Sequence, residues 1–254
     1  LIEQPKADII FLTSVKADIK LLYDLIENDI GSIKNDIGSI KNNIRALHLS
    51  FLKHPSQIDH YILKTISNAK VVVVRIFGDK GIWSYGLEQL SIWSKSNINN
   101  KLIVLSGTEE QDMELNELSN IDLKLSHKLS LLLREGGKVN YLKFLKSINF
   151  IINNDFKIPN KFLIGKKYND PILFDWKKEE GRSVAIISYK SLFLANEIEL
   201  SENLNKYLRS NGFKPRTVFV STLKDFEIQN KLINLFKKEN IEIILTTTSF
   251  DSSL

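Results

Sequence analysis

The stretch Val71-Val72-Val73-Val74-Arg75-Ile76-Phe77-Gly78 decides the fold, because it is a short, continuous β-branched run that ends in a glycine. Such a run, without polar–apolar alternation, is typical of a strand buried on both faces of a parallel sheet. Six further runs share this character and lie at residues 9–12, 45–49, 102–105, 184–187, 217–220 and 241–245. The sequence therefore predicts parallel strands.

Amphipathic stretches separate these runs and predict helices at residues 58–67, 87–95, 200–210 and 228–238. Alternating strands and helices favour the α/β class with right-handed crossovers. The sequence predicts two consecutive Rossmann- or flavodoxin-like parallel-sheet units, the second of which is truncated at the C-terminus.

Domain boundaries are predicted where helical periodicity fades. Two helices are expected at residues 123–133 and 140–152, with Gly136-Gly137 as the stop between them. Prolines and glycines then punctuate residues 156–182, which we expect to cross between domains. The predicted division is an N-terminal α/β domain (1–155) with a helical C-terminal part, this crossing segment, and the start of an incomplete second α/β domain (183–254).

Two features favour an incomplete chain. Residue 1 is Leu, the only methionine is Met113, and the last strand-like run has no closing helix after it. A tandem duplication, in which residues 28–34 recur at 35–41, predicts a locally expanded surface helix or loop without an assigned function.

Composition bounds the class of protein. Apolar residues make up 43% and charged residues 26% of the 254 positions, which are ordinary globular values. The sequence has neither a run long enough for a membrane span nor a signal peptide, so we expect a soluble cytoplasmic protein.

The absence of cysteine excludes disulfides and thiolate metal sites. The net charge of +5 comes from scattered lysines, which favours a solvated surface over a nucleic-acid site.

Phosphate-binding and hydrolytic motifs are absent from the sequence. There is no G-x-x-x-x-G-K-[ST] loop, and the junction Gly78-Asp79-Lys80-Gly81 is too short for a dinucleotide fingerprint. G-x-S-x-G and H-E-x-x-H are also missing. We therefore do not expect ATP hydrolysis, and we assign no catalytic or metal-ligating role to any residue of this chain.

The junction after the strand at 71–77 combines Gly78, Trp83, Tyr85 and Gly86. Ligands of open α/β sheets bind beyond the carboxyl ends of strands, and aromatic faces can stack on a flat ring. The alternative is a packed loop in which Trp83 and Tyr85 cover the sheet edge.

Three other positions carry paired interpretations. His54, which precedes Pro55, is a helix cap or surface histidine, or else a metal or tetrapyrrole contact. Glu135 and Gly136 end a helix or contact a ligand. Lys224, beside Asp225, pairs with a ligand carboxylate, or else the two form a local salt bridge or cap.

These segments, taken in order, resemble the large subunits of aerobic cobaltochelatase over about residues 7–250. The motifs are Leu52-Lys53-His54-Pro55 with Asp59 and Tyr61, residues 72–78, residues 83–90, Leu105-Ser106-Gly107 with residues 112–115, Arg134-Glu135-Gly136-Gly137 with Asn140, and residues 215–225. The chain departs from the family pattern at Ile82, Ser84 and Ser106, and no glycine follows Tyr189. The magnesium chelatase large subunit is also similar, notably at residues 168–174.

The resemblance implies part of an ATP-dependent enzyme that inserts Co2+ into a corrin precursor, hydrogenobyrinic acid a,c-diamide, and that forms nitrogen–metal bonds. Its expected partners are a corrinoid or porphyrin precursor and two ATPase subunits of AAA+ and MIDAS type, with ATP and Mg2+ held on those subunits. We expect this piece to bind no cofactor itself, to lack activity alone, and to bind no nucleic acid. Candidate ligand-binding residues are His54, Asp59, Arg75, Gly78, Trp83, Tyr85, Gly86, Glu135, Gly136, Lys224 and Asp225.

Overall fold

A computed structural model describes residues 1–28, 44–107, 113–153 and 156–248. The chain divides into two compact units, Leu1–Lys166 and Lys167–Leu254. Most of the duplicated segment at 28–41 lies outside the described residues, so its predicted structure stays a prediction.

The first unit is built on a four-stranded, all-parallel sheet in the order β2-β1-β3-β4. Its strands are β1 Ile9–Thr13, β2 Ile44–His48, β3 Val71–Ile76 and β4 Lys101–Ser106. Every residue of the central strands β1 and β3 is buried, as their continuous apolar runs predict.

Helices cover both faces of this sheet. They are α1 Lys16–Asn28, α2 Pro55–Lys64, α3 Ser84–Ser96, α4 Met113–Asn116, α5 Leu123–Glu135, α6 Gly137–Ile152 and α7 Asn160–Leu163. On one face, Val72 and Val74 share a core with Tyr61 of α2 and Leu90 of α3. On the other face, α6 packs against the strands, and Phe144 meets Phe11 edge-on at 5.9 Å between ring centroids.

The second unit contains a mixed four-stranded sheet in the order β5-β7-β6-β8. Its strands are β5 Ile172–Phe174, β6 Arg182–Tyr189, β7 Phe213–Val220 and β8 Ile241–Thr246, with helices α8 Lys190–Leu194, α9 Glu199–Ser210 and α10 Phe226–Lys238. The predicted α/β class is confirmed. The expectation of purely parallel pairing holds for β7, β6 and β8, whereas the unpredicted β5 pairs antiparallel with β7.

The edge strand β8 differs from the edges of the first sheet. In β4, five of the six residues are buried, whereas no residue of β8 is fully buried. Ile244 and Leu245 are neighbours on opposite faces of β8, yet their exposures are 56% and 37%. Among residues 156–248, this edge therefore has exposed apolar side chains on both faces.

Among the residues described, no helix is both long and apolar enough to cross a bilayer.

Candidate ligand-binding edges

The loops at the carboxyl edge of the first sheet are held together through Ser14. The backbone N–H of Phe77 donates to Ser14 Oγ at 2.7 Å. His48 Nε2 lies 3.1 Å from the Ser14 carbonyl oxygen, and its Nδ1 lies 2.7 Å from Ser50 Oγ. The ends of β1, β2 and β3 thus form one connected surface at the edge where α/β proteins bind ligands.

Arg75 lies beneath this surface in a buried polar network. Its Nη1 is 2.7 Å from Asp18 Oδ1 and 3.1 Å from the hydroxyl of Tyr141. That hydroxyl also donates to Asp18 Oδ1, and Thr13 Oγ1 donates to Asp18 Oδ2 at 2.7 Å. The candidate Arg75 therefore already has a carboxylate partner, and its guanidinium fixes the ends of β1 and β3 against α1 and α6.

Burial controls the ionisation of this network. Desolvation, and then the Asp18 charge, hold the pKa of Tyr141 well above its usual value, so the phenol stays a neutral donor. Desolvation would lower the pKa of Arg75, but Asp18 and Tyr141 outweigh it and the net direction is upward. Within the described residues, Arg75 Nε is a buried donor without a hydrogen-bond partner.

Trp83 and Gly86 form a packing pair. The Trp83 ring is only 7% exposed, and its Nε1–H donates to the carbonyl oxygen of Leu52 at 2.7 Å. A Cβ on Gly86 would lie 2.3 Å from that ring, so the glycine permits the ring to pack there. Stacking of Trp83 on a ligand stays a prediction, and in this structure the ring belongs to the core.

Tyr85 and Asp59 are brought together at the surface. The Tyr85 hydroxyl lies 2.9 Å and 3.1 Å from the two carboxylate oxygens of Asp59. This hydrogen bond is the main reason that the pKa of Tyr85 is raised. His54 is the exposed N-cap of α2, and its backbone N–H donates to Gln57 Oε1 at 3.2 Å.

Exposed apolar side chains lie where β3 ends. Gly78 has φ +114°, a conformation that favours glycine, and the Ile82 side chain lies over it. Phe77 and Ile82 are 62% and 59% exposed. Sequence reasoning selected Trp83 and Tyr85 for ring contact and passed over Phe77 and Ile82. The available signal was that Phe77 directly follows the strand and that Ile82 is an apolar residue in the loop after Gly81.

The Glu135-Gly136 candidate pair lies at a helix junction. Gly136, with φ +69°, ends α5 and precedes α6, which confirms the predicted helix stop. The buried Asn140 amide donates to the carbonyl oxygens of Gly136 at 2.9 Å and Lys166 at 2.8 Å, and it accepts from the Lys166 N–H at 2.6 Å. Asn140, which was not a candidate, thus ties this junction to the end of the first unit.

In the second unit, Asp225 acts as a helix cap. Its Oδ1 accepts from the backbone N–H groups of Glu227 at 2.7 Å and Ile228 at 3.1 Å. Lys224 is exposed beside it, and its backbone N–H donates to Thr222 Oγ1 at 3.0 Å. Lys224 and Asp225 are both exposed at the strand end, and the hydrogen bonds to the helix terminus are made by the Asp225 carboxylate.

A second polar group at this edge was missed by sequence reasoning. Lys190 follows β6, and its side chain is only 11% exposed. Its Nζ lies 3.5 Å from Asp170 Oδ2 and 3.4 Å from the Tyr168 carbonyl oxygen, while the Asp170 carboxylate accepts from the Ser221 N–H. Lys190 and Asp170 are 20 positions apart, so sequence spacing gave no signal of the pair.

No cluster of metal-ligating side chains occurs among the residues that the structure covers. The two strand edges expose the apolar side chains of Phe77 and Ile82 in the first unit and the charged residue Lys224 in the second.

Comparisons with known proteins identify relatives. No protein-family profile matches the chain. A curated relative from Pseudomonas aeruginosa, named aerobic cobaltochelatase subunit CobN, is 23% identical over 212 residues, which cover 80% of this chain and 17% of the relative. A protein of the same name from Sinorhizobium sp is 25% identical over an alignment of 264 positions, which covers 97% of this chain and 20% of the relative.

A solved structure, the catalytic subunit of cobaltochelatase from Mycobacterium tuberculosis, shares the fold. Its TM-score is 0.54 at 16% identity, covering 90% of this chain and 17% of the other. This chain therefore spans about a fifth or less of the length of the proteins it matches. The resemblance indicated by the motifs is confirmed: the chain is a homologue of the aerobic cobaltochelatase subunit CobN and corresponds to one part of that longer protein.

Proposed function

We propose that this chain is part of the large, tetrapyrrole-binding subunit of an ATP-dependent cobaltochelatase, which inserts Co2+ into hydrogenobyrinic acid a,c-diamide during cobalamin biosynthesis. The observation that carries the proposal is similarity to two cobaltochelatase subunits along 80% and 97% of the chain. The chain serves as a scaffold and as a ligand-contacting part of that enzyme.

The geometry of the strand ends supports a binding role. The first edge offers Phe77 and Ile82 as exposed apolar contacts, and the second offers the Lys224 ammonium for a peripheral carboxylate. The buried Arg75–Asp18 pair keeps the first edge rigid. Metal insertion then depends on the rest of the subunit, and separate AAA+ and MIDAS-type ATPase subunits supply the work of ATP hydrolysis. The assembly acts in the cytoplasm.

Magnesium insertion into protoporphyrin is the second candidate, favoured by the resemblance of the helix junction at residues 136–140 and of residues 168–174 to the magnesium chelatase large subunit. A non-enzymatic α/β binding module is the third. Both named relatives are cobaltochelatase subunits, which favours the cobalt reading over either alternative.

Tetrapyrrole titration tests the proposal. The chain is titrated with hydrogenobyrinic acid a,c-diamide and, separately, with protoporphyrin, while tryptophan fluorescence is followed. Trp83 and Trp93 report on the first unit and Trp176 on the second. Saturable quenching by the corrin precursor alone is expected. Tighter binding of protoporphyrin would favour the magnesium reading.

An activity assay tests whether metal insertion requires the ATPase subunits and the remainder of the large subunit. We expect no Co2+ insertion by this chain alone, with or without ATP, because it carries no phosphate-binding loop. Insertion by the isolated chain would contradict the proposal that ATPase subunits and the remainder of the large subunit are required.

A further inference from the structure

The positive charge of the chain is concentrated in one segment. Residues 136–168 contain seven lysines, one aspartate and no arginine, which gives a net charge of +6. The whole chain has a net charge of +5, so the remaining residues are slightly negative in sum. The lysines are scattered along the sequence as a whole, but the excess of positive over negative charge lies in residues 136–168.

The fold brings lysines of this segment onto one surface, where α7 and the residues after it pack against α6. Lys143 Nζ donates to the Ile164 carbonyl oxygen at 2.6 Å. Lys146 on α6 and Lys161 on α7 lie 5.3 Å and 5.0 Å from the centroid of the Phe162 ring. Lys146 and Lys161, which are 15 positions apart, thus place their ammonium groups over a single phenyl ring.

Asn140 fixes one border of this surface and an aromatic pair extends it. The Asn140 amide bonds to the backbone N–H and C=O of Lys166, which places that lysine at the same junction. Phe150 lies 6.0 Å from Phe162 between centroids, and Ile164 is 64% exposed. We define the α6–α7 face by Lys143, Lys146, Lys161, Lys166, Phe162 and Ile164.

We propose that the α6–α7 face docks an acidic protein surface. Complementary charge steers association and fixes the register of two proteins, and a basic surface with an apolar centre fits a carboxylate-rich partner that also offers apolar contact. The inference rests on the proposed function, since a subunit that acts with separate ATPase subunits needs surfaces that recognise them.

A protein partner fits this face better than a nucleic acid. The Phe162 ring is already covered by two ammonium groups, whereas single-stranded binders keep aromatic faces open for bases. The segment also lacks arginine, the side chain that most often reads guanine bidentately.

The test uses fluorescently labelled poly-L-glutamate as an acidic polypeptide probe, with binding followed by anisotropy in low salt. The triple variant Lys143→Glu, Lys146→Glu, Lys161→Glu replaces three positive charges of the α6–α7 face by negative charges. The matched control, Lys206→Glu, Lys237→Glu, Lys238→Glu, makes the same change in net charge at exposed lysines of α9 and α10. We expect the first triple to weaken binding by about tenfold or more and the control by less than about threefold.

Three outcomes would overturn the proposal: no binding of the probe by the wild-type chain, equal losses in the two triples, or a larger loss for a 20-base-pair DNA duplex than for poly-L-glutamate. The Lys→Gln version of each triple, checked by circular dichroism, separates lost charge from lost folding. Tetrapyrrole titration of the first triple distinguishes the two proposals, because the proposed ligand edges lie elsewhere and binding there should be unchanged.

Discussion

Asp18 on α1 and Arg75 on β3 form an ion pair of 2.7 Å between Oδ1 and Nη1, with both side chains at least nine-tenths buried. The two residues are 57 positions apart, so the pair joins α1 to the carboxyl end of a central strand. A ligand at this edge would meet a platform already fixed by a buried charge pair.

Replacement of Arg75 by Met should destabilise the first unit strongly. It leaves the Asp18 carboxylate buried without its cation, which typically costs about 3–5 kcal/mol. Urea denaturation followed by Trp83 and Trp93 fluorescence measures the loss. Adding Asp18→Asn should recover part of it, because the uncompensated charge is then removed. A change below about 1 kcal/mol in the single variant would contradict a buried pair.

Ile82→Ala should weaken binding of the corrin precursor if the carboxyl edge of the first sheet contacts the ring. Loss of a partly buried aliphatic contact corresponds to about 1–2 kcal/mol, or roughly five- to thirtyfold in Kd. Ile98→Ala is the matched control, because Ile98 is 87% exposed and lies before β4, at the opposite edge of the sheet. Equal effects of the two variants would place the ring elsewhere.

Variants of Lys224 and Asp225 should have different effects, one on ligand binding and the other on the free energy of unfolding. Asp225→Ala removes two hydrogen bonds at the N-terminus of α10 and should cost about 1 kcal/mol of unfolding free energy. Lys224→Ala should leave thermal stability nearly unchanged while weakening a ligand that carries carboxylates. The reverse pattern, with Lys224 needed for stability alone, would remove it from the candidate site.

Acid should destabilise the second unit through two carboxylates. Burial would raise the pKa of Asp175, but hydrogen bonds from Arg209 and Lys177 lower it, and hydrogen bonds from Arg216 and Lys214 lower the pKa of Glu239. A carboxylate with a lowered folded-state pKa stabilises the fold above its unfolded value, and this contribution is lost as the pH falls through the folded value. The loss of stability should therefore begin near pH 4 and develop over roughly one or two pH units below it.

Trp176 reports on that loss, since its indole N–H donates to the Thr217 carbonyl oxygen and Arg216 lies over its ring at 5.2 Å. Urea midpoints are compared at pH 7 and pH 3 in a Trp83→Phe, Trp93→Phe background. Arg209→Met should flatten the pH dependence. Lys231→Met, at the exposed pair with Glu227, should not change it.

Local pattern predicted most of the regular elements, whereas it gave little information on what the candidate side chains contact. The seven predicted strands all occur. A short, continuous β-branched run such as residues 71–76 is typical of a strand that is buried on both faces of a sheet. The strand β5 was missed, since three residues in a proline- and glycine-punctuated segment become a strand only through pairing with β7, more than 40 positions later. Helix α1 was also not predicted.

Side-chain environments depend on contacts that sequence spacing does not reveal. A packed loop was foreseen as one alternative for Trp83, but sequence spacing did not reveal that its indole reaches the carbonyl of Leu52, 31 positions earlier. The buried partner of Arg75, Asp18, comes from a helix that was not predicted, so the ion pair could not be foreseen. In contrast, Asp225 as a cap and Gly136 as a helix stop follow from local chemistry and were foreseen as alternatives.

The uncovered edge strand β8 has a consequence for how this polypeptide behaves at high concentration. In the part of the chain that the structure describes, no strand pairs with its outer rim, and Ile244 and Leu245 add exposed apolar surface on both faces. Strand addition between molecules at such a rim is a common route to aggregation. We expect Ile244→Lys, which places a gatekeeper charge on the rim, to raise the solubility limit while leaving the melting temperature little changed.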